Sequence, residues 1–357
     1  MPNGVAYGFV DLQHVFSQRV ADVGVQQVYD AITRTTAEWN RQINSLMNEF
    51  VQRTDQYQFR YHLPGTGSLQ PLDEWGTPTP VREGAFYDVG LPIQGAGTAF
   101  GDNRVSREFL TVEEANRQIL RVQRDDADWL KRHILATIFT NTSWTFSDPL
   151  KGNLTVQPLA NGDAITYPMS GLTAMATDQH YLAQAAGILD ASNPFPTIRD
   201  QLAEHPTNTG TYVAYIPTNL RASVEALATF VEVNDGNIRL GGDQDQLLQV
   251  VGPGVGDQVI GYIKGAGIWI IEWRSLPDNY IVAHARGSEP AIAMREYEPP
   301  NLKGLIIERH SQDGNLQETR FIRYAGFGVL NRTGMVIQRI GNGTYAIPSG
   351  YTAPLAA

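Results

Sequence analysis

The residues that most invite a chemical role are a glycine-rich stretch, Gly252-Pro253-Gly254-Val255-Gly256-Asp257, three aspartates at 125, 126 and 128, and seven histidines. A phosphate cradle needs backbone N–H groups presented by G-x-G-x-x-G or G-x-x-x-x-G-K-[ST]; neither spacing is present and no helical stripe follows directly, so the stretch reads as a surface loop. Asp125, Asp126 and Asp128 could suggest metal ligation or paired general acids. On a helix, positions i, i+1 and i+3 do not converge on one point. Arg121, Arg124, Lys131 and Arg132 stand three and four residues away, which predicts a charged patch that is solvated or faces an interface. The histidines (His14, His62, His133, His180, His205, His284, His310) are scattered, without an H-x-x-x-H or H-E-x-x-H pair, and each reads as a lone surface or partly buried imidazole. Gly-x-Ser-x-Gly is absent, and Ser170-Gly171 and Ser349-Gly350 read as turns. A pair of carboxylates for glycoside hydrolysis would be recognisable only by its separation in space. No catalytic residue, cofactor or metal site is assigned on these grounds.

Composition narrows the classes. The chain has 357 residues, room for two ordinary domains or one large one. A formal charge of −10 with 18% charged residues and no Lys/Arg cluster argues against nucleic-acid readout, since phosphate affinity comes from clustered cations. Zero Cys excludes disulfides, thiolate metal sites and Cys nucleophiles together. The first residues lack the basic start and apolar run of a signal peptide, and no apolar stretch approaches membrane-spanning length, so the chain is expected to be soluble, not exported and free of membrane contact. The 27 basic residues are 23 Arg and four Lys. Arg is the better partner for carboxylates at desolvated interfaces, which favours a chain that meets protein surfaces; genomic base composition explains the bias equally well.

The elements follow from periodicity. Residues 22 to 52 carry Val25, Val28, Ile32, Trp39, Ile43, Leu46 and Phe50 at helical spacing. At Asp55 the period changes to two: Tyr57, Phe59, Tyr61 and Leu63 fall on one face of a strand, and Gln56, Gln58, Arg60 and His62 on the other. About fifty residues rich in Gly and Pro follow, with isolated aromatics and little core of their own, too long for an ordinary loop. Such an excursion is either disordered or an arm ordered against another molecule, and its aromatics favour the arm. Thr111 and Glu114 form a capping box opening a helix of about 28 residues, ~42 Å long. Leu154-Thr155-Val156 and Ala164 to Tyr167 read as strands around an Asn161-Gly162-Asp163 turn. Asp178 reads as the cap of a helix through Leu189, and Pro196 as the start of another through Leu202. Thr211 to Ile216 is a predicted strand, and Leu220 to Val231 a helix. Strands are then expected over Val259 to Ile263, Ile268 to Trp273, Tyr280 to His284, Ala291 to Tyr297, Leu305 to Arg309, Leu316 to Tyr324 and Met335 to Ile340. The class is α+β.

This order of parts, with Ser275-Leu276-Pro277-Asp278-Asn279-Tyr280 and the run from Arg320 through Phe321, Tyr324, Gly326, Phe327, Gly328 and Asn331 to Arg332, resembles the major capsid protein of tailed bacteriophages, the Hong Kong 97-type fold. The resemblance implies an N-terminal arm (1–55), an extended β-hairpin loop (56–109), a long spine helix with the first part of a peripheral domain (110–209), an axial domain (210–285), and peripheral return strands with a C-terminal tail (286–357). It implies no enzyme activity and no cofactor. The implied activity is self-assembly through pentamers and hexamers into an icosahedral shell around double-stranded DNA, held by weak non-specific contact that the acidic balance suits. The implied partners are further copies, a portal, a possible decoration protein and a separate scaffolding protein; some relatives carry a long helical scaffolding segment before the arm, and its absence from this sequence is read either as use of a separate scaffolding protein or as a processed form of the chain. The location is the virion, assembled in the host cytoplasm. Inter-subunit contacts are expected from Trp39, Phe50, Tyr57, Phe59, Tyr61, Trp75, Phe86, Tyr87, Arg104 and Arg107, and Gly252, Pro253, Gly254, Val255, Gly256 and Asp257 are expected at the capsomer axis.

The chain departs from some relatives in one respect that bears on assembly. Those relatives weld subunits by a Lys–Asn isopeptide bond from the extended loop, but residues 55 to 109 contain no Lys, so the shell is expected to be non-covalent. Two other readings stay open: an encapsulin-type compartment of the same fold, and a β-rich carbohydrate-active enzyme or adhesin with a concave site lined by Trp and Asp.

Overall fold

The computed structural model describes residues 9, 11–47, 51–62, 72, 74–77, 86–103, 108–171, 175–232, 258–311 and 316–355. A single turn α1 (Val20–Val23) leads into α2 (Val25–Met47), which buries Val28, Ala31 and Trp39 while Val25 stays exposed. The helix ends earlier than the sequence stripe suggests, because Val51–Thr54 leaves it as strand β1. The long helix α3 (Val112–Phe139) has the expected 28 residues. Thr111 Oγ1 accepts the Glu114 N–H, and the Glu114 carboxylate accepts the Thr111 N–H, so two orphan donors of the first turn are satisfied reciprocally.

Two sheets flank this helix. The first has the order β1, β15 (Ile292–Arg295), β17 (Leu316–Val329), β16 (Leu305–Ser311), with β4 (Gln94–Asn103) also on β17. β17 is 14 residues long. It pairs with β4 from Leu316↔Asn103 to Ala325↔Gln94, and its last residues pair with β15, which lies parallel to β1. The Gly-rich excursion is therefore only partly without a home: β4 belongs to the chain's own sheet, and Val89, Leu91 and Ile93 are buried.

The second sheet has seven strands in the order β11 (Phe230–Glu232), β12 (Gln258–Ile263), β13 (Ile268–Glu272), β10 (Thr211–Ile216), β14 (Tyr280–Arg286), β18 (Met335–Ile340), β9 (Tyr181–Gln184). Both faces are covered, and the period of two sorts them. Val213, Tyr215, Trp269, Ile271, Val282 and Ile337 join the cluster that contains α3's Phe139; Ala214, Ile216, Ile268, Ile270, Ile281 and Val336 pack with α4 (Phe195–Ala203) and α5 (Thr218–Glu225). The C-terminal segment closes the far end of α3: the Tyr345 hydroxyl donates to the Phe139 carbonyl, and the Ala353 N–H to Thr140 Oγ1.

Small two-stranded sheets complete the fold: β2 (Gln58–His62) with β3 (Phe86–Gly90), β5 (Trp144–Asp148) with β6 (Gly152–Val156), and β7 (Asn161–Tyr167) with β8 (Ala176–Gln179). Three expectations are corrected here. Asn161-Gly162-Asp163 begins β7 and is not a turn. Asp178 lies in a strand and caps no helix. Val231 lies in β11, because α5 stops at Glu225. No described helix is long and apolar enough to cross a membrane.

Candidate functional site

Strands β2 and β3 pair from Gln58↔Gly90 to His62↔Phe86, forming a ribbon whose two faces differ. Phe59 and Tyr61 turn towards Leu91, Ala293 and Leu330 of the chain's own body. Tyr87 stacks on Tyr61 at 5.3 Å, and burial pushes its phenol up to about 12. The base of the ribbon is close against β6, where a Cβ on Gly90 would lie 2.8 Å from the Thr155 carbonyl oxygen. Away from the body the ribbon carries Arg60, which makes a paired bond to Asp88 (2.7 and 2.8 Å) and lies 4.2 Å over the Phe86 ring. Phe86 is 55% exposed and Trp75, between the two strands in sequence, is 85% exposed. Tyr57 is partly exposed beneath Lys151, whose Nζ is 4.7 Å from its ring. Large apolar side chains left outside the body at one projecting element form a surface suited to another protein.

Trp39 does not belong to that surface. It is buried, and its Nε1–H donates to Asp126 at 2.8 Å. Phe50, Arg104, Arg107 and the Gly252 to Asp257 loop lie outside the described residues.

The three aspartates also divide. Asp125 pairs with Arg121 at 3.7 Å and Asp128 with Lys131 at 3.3 Å on the exposed side of α3, as the spacing predicts. Asp126 is instead buried, accepting from Trp39 and from Arg323 Nε and Nη2 at 2.5 and 2.7 Å. A groove of about 280 Å³ beside it is lined by Trp129, Asp125, Asp126, Phe321 and Arg323. It has the Trp and Asp of a sugar site, but both oxygens of Asp126 are already committed to Trp39 and Arg323, which leaves no convergent carboxylate pair there. Two further arginines work within the chain: Arg295 donates to Asp148 (2.7 Å), and Arg332 to Asp163 (2.8 Å) and the Pro158 carbonyl.

His180 and His205 are not lone imidazoles. Asp178 in β8, His180 just after it, and Glu204 and His205 at the end of α4 place their ligand atoms within 4.8 Å of one another. His205 Nε2 is 2.6 Å from Asp178 Oδ2, and His180 Nε2 is in close contact with the same oxygen. Burial works against the Asp178 charge, yet the close approach of His180 and His205 outweighs it and holds the carboxyl well below the usual range. Burial likewise opposes a charged His205, and the bond to Asp178 raises its pKa regardless. Burial and the neighbouring Asp178 charge push the Glu204 carboxyl up. In the sequence these residues form only the short pairs Asp-x-His and Glu-His, 25 residues apart, so the signal was present but local spacing could not join it.

No protein-family model matches the chain, and its sequence matches no curated protein. Among solved structures the chain is similar to one of Mycobacterium phage Patience, over 98% of this chain and 97% of the other, with 17% identity and a TM-score of 0.65. It is also similar to a chain in the asymmetric unit of the bacteriophage PhiM1 mature capsid, over 83% and 86% of the two chains, with 9% identity and a TM-score of 0.51. The chain therefore has a mixed α+β phage-capsid fold.

Proposed function

We propose that the chain is a tailed-phage major capsid protein that assembles through pentamers and hexamers into the icosahedral shell enclosing double-stranded DNA. The observation that carries the reading is the fold likeness over essentially the whole chain, seen together with a ribbon that packs Phe59 and Tyr61 on the body and leaves Phe86 and Trp75 exposed. On this reading residues 1–55 are the arm, 56–109 the extended hairpin and 110–209 the spine helix with the start of the peripheral domain. Residues 210–285 form the axial domain and 286–357 the return strands and tail. Tyr57, Trp75 and Phe86 meet a neighbouring subunit, and the loop at 252–257 approaches the capsomer axis. The protein acts as a structural component of the virion, without catalysis. A scaffolding protein, a portal and a decoration protein are its partners during assembly in the host cytoplasm, and DNA touches it weakly.

Ordering a projecting ribbon costs roughly 1 to 2 kcal/mol per residue in backbone entropy, and apolar burial against a neighbour offsets that at about 25 cal/mol per Å². The test is size-exclusion chromatography and negative-stain microscopy of the chain produced with its phage's head proteins. Closed shells containing DNA are expected, and boiling in SDS should release single chains. A stable monomer or small oligomer under those conditions defeats the reading, and shells that hold one cargo enzyme in place of DNA replace it with a compartment.

A further inference from the structure

The hydrogen bonds around His180 and His205 fix where their protons sit. His180 Nδ1 is 2.7 Å from the Met335 carbonyl oxygen, and His205 Nδ1 is 3.0 Å from that of Pro168. A carbonyl only accepts, so Nδ1 carries the proton in both rings and a neutral ring has its lone pair at Nε2. The two Nε2 atoms are 3.2 Å apart, and both abut Asp178 Oδ2. The imidazoles are 0% and 1% exposed and Asp178 6%, so water does not separate these electron-rich atoms. Their convergence requires positive charge. Two extra protons would set two imidazolium N–H groups 3.2 Å apart in a buried site, a like-charge contact of the kind proteins avoid, and one extra proton would leave the other ring's lone pair against the carboxylate. One divalent cation meets the same need, and with two neutral imidazoles and two carboxylates the group sums to zero (+2 − 2 = 0).

We propose that Asp178, His180, Glu204 and His205 bind a divalent first-row transition ion, best matched by Zn²⁺, in a closed structural site. Zn²⁺ takes imidazole nitrogen and carboxylate oxygen in a tetrahedron with Zn–N about 2.0–2.1 Å, which places neighbouring ligand nitrogens about 3.4 Å apart. The Nε2 separation of 3.2 Å is close to that edge. The Asp178 oxygen must withdraw by less than about 1 Å to complete the tetrahedron. Ca²⁺ and Mg²⁺ prefer all-oxygen shells and fit this donor set poorly.

The outer shell is already that of a metal site. Each histidine donates its other ring N–H to a backbone carbonyl, the arrangement that orients metal-bound imidazoles. Gln201 Nε2 donates to Asp178 Oδ1 at 2.5 Å and to Glu204 Oε1, and the Gln179 N–H donates to Asp178 Oδ1 at 2.6 Å, so Asp178 keeps its second oxygen occupied and Gln201 ties the two carboxylates together. With four protein ligands no position is left for substrate. The ion clips the β8–β9 junction to the end of α4, and its outer shell reaches β18 through Met335.

The test uses the untagged full-length chain, stripped with EDTA and dialysed against Zn²⁺ or Co²⁺. Expected are one Zn²⁺ per chain by elemental analysis, visible d–d bands typical of tetrahedral Co²⁺, and an unfolding temperature that rises with Zn²⁺ and falls back with EDTA. Gln201→Ala should weaken Zn²⁺ binding about 10- to 100-fold with an unchanged far-UV circular dichroism spectrum. His205→Ala should abolish stoichiometric uptake; if it fails to fold, the Gln201→Ala measurement decides. A folded wild-type chain that takes up neither ion overturns the proposal, as does uptake undiminished in the variants.

Discussion

Buried charge in this chain is paired side chain by side chain, and the pairs are where single substitutions should act most strongly. Asp126 neutralises Arg323, itself 2% exposed, and also satisfies the Trp39 indole. Asp126→Ala leaves a buried guanidinium without its carboxylate, which typically costs about 3–5 kcal/mol. Urea unfolding of the variant should show a loss of that size, and a loss under about 1 kcal/mol would mean that Arg323 finds another partner. His284 supplies a pH signature of the opposite kind. It lies buried in β14, stacked on Tyr215 at 5.7 Å, and burial lowers its pKa to about 4 from about 6.5 in an unfolded chain. Between those values the unfolded chain binds a proton that the folded chain does not. Stability is therefore unaffected by this group above about pH 6.5 and falls as the pH drops, by about 3 kcal/mol at pH 4. His284→Gln should flatten that acid limb; equal pH slopes for variant and wild type would assign the acid sensitivity elsewhere.

At the scale of elements, β17 must pass close beneath the segment that leaves the ribbon. A Cβ on Gly326 would lie 2.1 Å from the Pro92 carbonyl oxygen, and one on Gly328 2.6 Å from a Leu91 methyl. Gly326→Ala should destabilise the chain by about 2–3 kcal/mol, whereas Gly187→Ala, with open space around its Cβ, should leave the denaturation midpoint unmoved. Equal midpoints for the two variants would mean that the 90–93 segment yields easily. The elements that sequence reading located best are those specified by their own residues: α3 by its helical stripe and capping box, and β10 and β18 by short apolar runs bounded by Gly or Pro. β4 escaped it because its stability comes from pairing with a strand more than 200 residues away, and Gly95 and Gly97 permit that approach without contributing any apolar alternation. Asp178 has the residue type of a helix cap, but its carboxylate is engaged by His180 and by His205, and a local window does not reach the second of these, 27 residues away. Tyr57, Phe59 and Tyr61 were legible as a strand face, but nothing local distinguished Trp39, which is enclosed, from Trp75, which is not.

For the whole molecule, the proposed capsid role assigns folding to the body and subunit contact to the ribbon, so the two should be separable by substitution. The body has a cluster of buried side chains running through both sheets and α3, and the exposed Trp75 and Phe86 are not part of it. A double variant Trp75→Ser, Phe86→Ser should unfold within about 0.5 kcal/mol of wild type yet fail to form shells, as read by sedimentation velocity. Shells formed at the wild-type yield would remove these two side chains from the subunit contact.

The placement of the tryptophans has a practical corollary. Trp39, Trp269 and Trp273 are each 2% exposed, while Trp75 is 85% exposed. Trp129 and Trp144 are half-buried, so red-edge emission and iodide quenching of the isolated chain should be weighted towards Trp75, with smaller contributions from those two. If the Trp75 indole becomes shielded as subunits join, a blue shift in intrinsic fluorescence would follow the kinetics of association without any dye or label.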